Sequence, residues 1–289
     1  MLEIDPVQDG GRATLEFVAA RSAAQMGSEN FPVALRVLPR QPRIELASVY
    51  AYARFVDDVG DEAAGDRCAL LDLVEQEVRA LAAGDATLPA VTALAPIIDA
   101  HDIPLDPLLD LIEANRRDQR TSRYKCFEDL LAYCELSAAP IGRLVLYIAN
   151  AASARNVVDS DAVCAALQVL EHCQDVGEDA RSGRVYLPAS DLQTVGLAAD
   201  ELLAGTTSLR LRRAVATNVD RSHSMLRAAG RPLVRRLSGW AKFAVAGYVA
   251  GGLATVDALR RNEYDVLARD VRPSRVRTAA RMAQLLAHR

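Results

Sequence analysis

The chain has 289 residues and a formal net charge of −4, with no basic excess, which excludes the electrostatic footprint of a nucleic-acid binder. Its five cysteines are odd in number and lack CxxC spacing, which argues against a disulfide framework and reads as reduced thiols in the cytoplasm. The start, MLEIDPVQDGGRATLEF, has neither the basic stretch nor the apolar run of a signal peptide, so secretion is not expected.

Helical periodicity is read over residues 12–25, 42–63, 67–83, 91–100, 105–117, 127–136, 140–154, 160–181, 208–228, 232–260 and 273–287, with no alternating strand pattern. An all-α fold is predicted, a helical bundle around an apolar cavity, with residues 1–289 forming one domain because no linker interrupts them. Arginine supplies all but two of the 34 basic residues, which suggests a GC-rich bacterial genome.

In the second predicted helix, Ala47, Tyr50, Arg54, Asp57 and Asp61 follow one another at steps of three and four, so a face that begins like core ends in charge. The helix over 160–181 does the same with Gln168, Glu171, Asp175 and Asp179. Carboxylates four apart share a helix face, and such a claw of hard oxygens suits Mg²⁺, which keeps waters and is completed by substrate phosphates. Two such claws would hold a diphosphate through bridging metal ions. Either acidic run read alone is equally well a solvated face.

Residues Phe243–Val256 form a 14-residue apolar run with three glycines, short of the ~20 needed to span a bilayer. Close helix packing and a groove for an apolar tail are equal readings of it. The arginines from Arg260 to Arg281 read as a solvated face, a lid over a diphosphate, or a peripheral contact with anionic lipid at the inner membrane surface.

With these residues in view the chain resembles the squalene and phytoene synthase family, the isoprenoid synthase helical bundle. The resemblance runs from about Ser28 to Arg272 and rests on SENFPVALRVLPR, YAYARFVDDVGDE, YCELSAAPIGRLVL, LQVLEHCQDVGEDARSGRVYLP and NEYDVLARDV in that order. Within the family, ENFPVA and SAAPIGRLVL are most similar to the bacterial hydroxysqualene synthase branch of hopanoid biosynthesis. That resemblance implies Mg²⁺-dependent ionisation of presqualene diphosphate, received from a presqualene diphosphate synthase, and capture of the rearranged cation by water.

The resemblance implies metal binding by Asp57, Asp61, Asp175 and Asp179, with diphosphate contacts at Ser28 and Arg54. It also implies substrate-facing polar positions at Tyr133, Gln168, Arg184 and Tyr186. Glu171 and Gln174 depart from the family's usual Asn and Arg, and Glu29 stands where a basic residue is common. Glu171 is expected as a further metal ligand or a water-positioning group, and Gln174 as a substrate contact weaker than an arginine clamp. Losing a phosphate clamp favours one diphosphate over two. Phe31, Tyr50, Tyr133 and Tyr248 are candidates to face the cation, and the capturing water is expected near Tyr133, Ser137, Gln168 and Glu171. No GxGxxG element follows a strand, so NADPH is not expected. The alternatives are a head-to-head condensing synthase of the same fold and a non-catalytic prenyl-lipid-binding or assembly protein.

Overall fold

The structure, a computed structural model, describes residues 6–26, 38–268 and 271–287. Ser28, Glu29 and Phe31 lie outside the described residues. The chain divides into two compact units, one comprising residues up to Arg120 together with Arg143–Ala151, the other Thr121–Gly142 with everything from Ala152 onward. Among the described residues the only β pairing is a single parallel bridge, Arg123 to Val185, so the chain is all-α as its periodicity predicts.

The first unit holds α1 (Pro6–Met26), α2 (Arg40–Asp61), α3 (Arg67–Ala80), the short α4 (Pro89–Thr92), α5 (Ala95–His101) and α6 (Asp106–Asp118). Helix α2 packs on α1, α3 and α6. Its buried stripe of Leu46, Val49, Tyr52, Phe55, Val56 and Val59 supplies the core, each large side chain contributing about 1.5–3 kcal/mol by burial. The one polar atom in that stripe is satisfied, since the Tyr52 hydroxyl donates to the Leu108 carbonyl at 2.9 Å. Past the end of α2, Asp66 caps α3 by accepting from the Ala69 amide at 3.1 Å.

The second unit begins with α7 (Phe127–Ser137), and α8 (Ala139–Ile148) contains the boundary at 142/143. Then come α9 (Ala154–Gln174), α10 (Val176–Arg181), α11 (Ala189–Thr194), α12 (Leu209–Met225), α13 (Arg231–Arg236), α14 (Gly239–Arg261) and α15 (Arg275–Ala287). Helix α9 is the hub of this unit, touching α7, α12 and α14. Gly252 permits the last of these contacts, because a Cβ there would fall 2.6 Å from Leu167 Cδ2 and 2.8 Å from Leu226 Cδ1. Gly247 and Gly251 on the same helix face open space instead. Close helix packing is thus the reading that Gly252 bears out.

Several predicted helices are divided, the one over 91–100 between α4 and α5. The helix expected over 140–154 stops at Ile148, where Asn150 turns to φ 53° and Ser153 caps α9 by accepting from the Asn156 amide. The helix expected over 160–181 breaks at Asp175, between α9 and α10. The helix expected to start at Pro232 instead continues from α12 through a π turn, Leu226–Gly230, then ends where Leu237 and Ser238 are extended and Gly239 takes φ 54°. Proline lacks an N–H, and the wide π turn just before it accommodates the lost hydrogen bond.

One helical stretch, Phe127–Ile148, is long and apolar enough to cross a membrane, and 56% of its most apolar window is buried inside the fold. All five cysteines are free. Burial pushes the Cys134 and Cys173 thiols up to about 12, which leaves them unreactive near neutral pH.

Candidate active site

In the first unit the last turn of α2 carries Asp57, Asp58 and Asp61. Asp57 and Asp61 are exposed, whereas Asp58 is buried beneath them. Asp58 accepts from Ser22 Oγ at 2.5 Å and lies 2.9 Å from Arg54 Nε, so the guanidinium expected on diphosphate is anchored by a buried carboxylate. That pairing ties Arg54 to the end of its own helix.

Asp57 is held from α6. Asn115 Nδ2 donates to Asp57 Oδ1 at 3.0 Å and to the Leu111 carbonyl at 3.2 Å, while Gln119 Nε2 donates to the Gly60 carbonyl at 2.9 Å. Gly60 makes this possible, since a Cβ there would sit 2.1 Å from Asn115 Oδ1. Asn115 and Gln119 were not singled out from the sequence. The only signal was a glycine inside a helix, which costs ~1 kcal/mol against alanine and so implies a close neighbour, but not which one.

The Asp57 carboxylate opens to solvent yet is closely ringed by protein. Desolvation, reinforced by repulsion from Asp61 and Asp58 against the pull of Asn115 and Arg54, raises its pKa to about 6.

In the second unit the acidic claw survives the helix break. The Asp179 amide donates to the Asp175 carbonyl at 2.8 Å, so the two residues remain one turn apart. Glu171, one turn earlier, is exposed, as is Asp175. Desolvation, with repulsion from Glu171, Asp179 and Glu178, raises the Asp175 pKa to about 6. Asp179 Oδ2 is buried without a hydrogen-bond donor, with His172 Nδ1 3.7 Å away.

Beside this claw Tyr133 and Tyr186, both singled out from the sequence, stand in an aromatic group with Tyr124 and His172, which were not. The His172 ring stacks on Tyr186 at 3.6 Å between centroids, and Tyr133 lies 5.7 Å from Tyr186. Tyr124 stacks on Tyr186 at 5.7 Å. Gln168 Nε2 approaches His172 Nε2 at 3.4 Å. The segments that carry Tyr124 and Tyr186 are zipped by backbone bonds, Val185 N to Ser122 O at 2.8 Å and Ala189 N to Tyr124 O at 2.9 Å. Half-buried Arg184 precedes Tyr186, its amide bonded to the Asp179 carbonyl at 2.8 Å. Gln174 turns elsewhere, donating to the Val271 carbonyl. Of the other aromatics considered, Tyr50 is half-buried and Tyr248 is exposed.

Among the described residues no group of three or more His, Cys, Asp or Glu forms a preformed metal cage. The donor chemistry nonetheless suits Mg²⁺, a cation that takes two carboxylates and leaves its other positions to water and phosphate. Two carboxyls with raised pKa values and an orphaned buried oxygen on Asp179 each favour a nearby cation.

A stability test follows. A carboxyl whose pKa rises on folding contributes stability below its unfolded value, near 4, that is lost as pH climbs through about 6. Without metal, the Asp57→Asn, Asp175→Asn double variant should match wild type in thermal midpoint near pH 4 and exceed it above pH 6. Adding Mg²⁺ at pH 7 should raise wild type and leave the variant unmoved. Coincident melting curves across the range would remove these two groups from the charge balance.

The helical fold is that of the all-α isoprenoid synthases. The crystal structure of squalene synthase HpnC from Alicyclobacillus acidocaldarius is 42% identical, with a TM-score of 0.79 over 90% of this chain and 97% of that one. The squalene/phytoene synthase family model matches residues 24–277, and the chain belongs to that family. The hydroxysqualene synthase of Zymomonas mobilis is 35% identical over 203 residues, 69% of this chain and 68% of that protein. The 15-cis-phytoene synthase of Synechococcus elongatus is 28% identical over 253 residues, 83% of this chain and 82% of that protein.

Proposed function

We propose that this chain is a hydroxysqualene synthase that ionises presqualene diphosphate and lets water capture the rearranged cation. The observation that carries this reading is the approach of Gln168 to His172, one member of the aromatic group of Tyr124, Tyr133, His172 and Tyr186. Aromatic faces stabilise a cation, and a polar edge among them keeps a water that a wholly apolar pocket would exclude. Similarity to the Zymomonas mobilis hydroxysqualene synthase supports the same product.

Asp57 and Asp61 in the first unit, and Asp175 and Asp179 in the second, would each hold Mg²⁺, with Glu171 as a further carboxylate of the second pair. Bound there, the metal would neutralise charge developing on the leaving diphosphate. Asn115 keeps the Asp57 carboxylate in place, and Asp58 keeps Arg54 extended. A planar guanidinium binds phosphate oxygens in pairs, which suits Arg54 and Arg184 to the diphosphate. Gln174, occupied with the Val271 carbonyl, is the weakest of the proposed substrate contacts. The two interleaved units act as one domain in this reading, and no NADPH is consumed. Arg260 pairs with Asp220 at 2.7 Å, and Arg281 with Asp257 at 2.9 Å. For these two arginines the structure therefore favours a surface role over a lid.

The test is incubation with Mg²⁺ and either presqualene diphosphate or farnesyl diphosphate, without NADPH, followed by mass spectrometry. Hydroxysqualene should form from presqualene diphosphate alone. Consumption of farnesyl diphosphate would instead identify a condensing synthase, the reading that similarity to a phytoene synthase favours. Binding of a diphosphate analogue without turnover of either substrate would point to a lipid-binding or assembly role.

A further inference from the structure

Ser137 Oγ is closed off from solvent and has no hydrogen-bond partner among the described residues. Other helical serines in the chain return their hydroxyl to the carbonyl four residues back. Ser48 donates to Ile44 at 3.3 Å, Ser222 to Asn218 at 3.0 Å and Ser224 to Asp220 at 2.9 Å. Ser137, which ends α7, makes no such bond to the Tyr133 carbonyl. A buried hydroxyl left unpaired calls for a partner, and this one offers a donor and two acceptor lone pairs.

Its position shows what that partner does. Residues four apart share a helix face, so Ser137 lies one turn beyond Tyr133 on the face that meets the aromatic group. Helix α7 packs there against α9, which carries Gln168 and His172. Glu171, also considered for holding the water, is exposed and would meet bulk solvent.

We propose that Ser137 is a positioning residue that holds the capturing water, an inference that rests on the hydroxysqualene reading above. The hydroxyl accepts a hydrogen bond from one O–H of the water and leaves an oxygen lone pair directed at the cation. That lone pair forms the new C–O bond. One O–H bond of the water then breaks, and its proton passes to the released diphosphate, the base that the reaction itself liberates. No oxidant or reductant is needed.

The experiment compares wild type, Ser137→Ala and Ser137→Thr on presqualene diphosphate with Mg²⁺ in ¹⁸O-labelled water. The readout is labelled hydroxysqualene per diphosphate released, a ratio that a loss of folded protein does not change. Ser137→Ala should lower that ratio at least tenfold in favour of hydrocarbons formed by proton loss, and Ser137→Thr, which keeps the hydroxyl, should restore most of it. An unchanged ratio in Ser137→Ala overturns the assignment while leaving the functional reading intact. Wild type that yields no labelled hydroxysqualene sinks both.

Discussion

Asp57→Asn should lower kcat/KM for a prenyl diphosphate roughly 10²–10³-fold, the cost of removing one preorganised electrostatic group from a site where charge develops. Asp179→Asn should do the same in the second unit, because its buried Oδ2 lacks any other donor. Stability should move the opposite way for Asp57→Asn. The carboxylate stands among Asp58 and Asp61 with its pKa raised to about 6, so at pH 7 without metal the neutral amide relieves repulsion and raises the thermal midpoint. Loss of turnover together with a gain in stability separates a functional charge from a structural one. Turnover within threefold of wild type, measured as diphosphate release, would remove Asp57 from the reacting machinery.

Gly60→Ala should be nearly as damaging by a different route. The new Cβ would stand 2.1 Å from Asn115 Oδ1 and 2.8 Å from its Cγ, so α2 and α6 must part or the Asn115 side chain must swing away. Overpacking of this kind costs ~1–3 kcal/mol, a drop of a few degrees in melting midpoint. Activity should fall further than stability, because a displaced Asn115 no longer holds Asp57. Combining Gly60→Ala with Asn115→Ala should recover most of the stability, since the shortened side chain makes room, but not the activity. Recovery of both would show that the amide contact has no part in turnover.

Much of this arrangement could be read from the chain alone, for a definite reason. Helical periodicity and four-residue spacing are local, so the all-α class and both aspartate pairs were visible in one segment at a time. What escaped was long-range or conformational. Asn115 reaches Asp57 across 58 positions, and His172 meets Tyr186 only because residues 122–125 and 185–190 are zipped together. The break at Asp175 was hidden because the four-residue carboxylate spacing survives it, although Gly177 just beyond is a poor helix former. Pro232 misled in the other direction, since a π turn lets a proline sit within a helical run.

Residues Arg143–Ala151 rejoin the first unit after the chain has already entered the second. No single peptide bond therefore separates the two, and cleavage after Arg120 would leave the amino-terminal fragment short of nine residues that belong with it. Synthesis on the ribosome meets the same order. A nascent chain long enough to include α1 to α6 is still missing part of their unit, and it acquires that part only after α7 has emerged. Order of synthesis and order of completion thus differ, and an amino-terminal fragment holds every residue of the first unit only when it extends to Ala151.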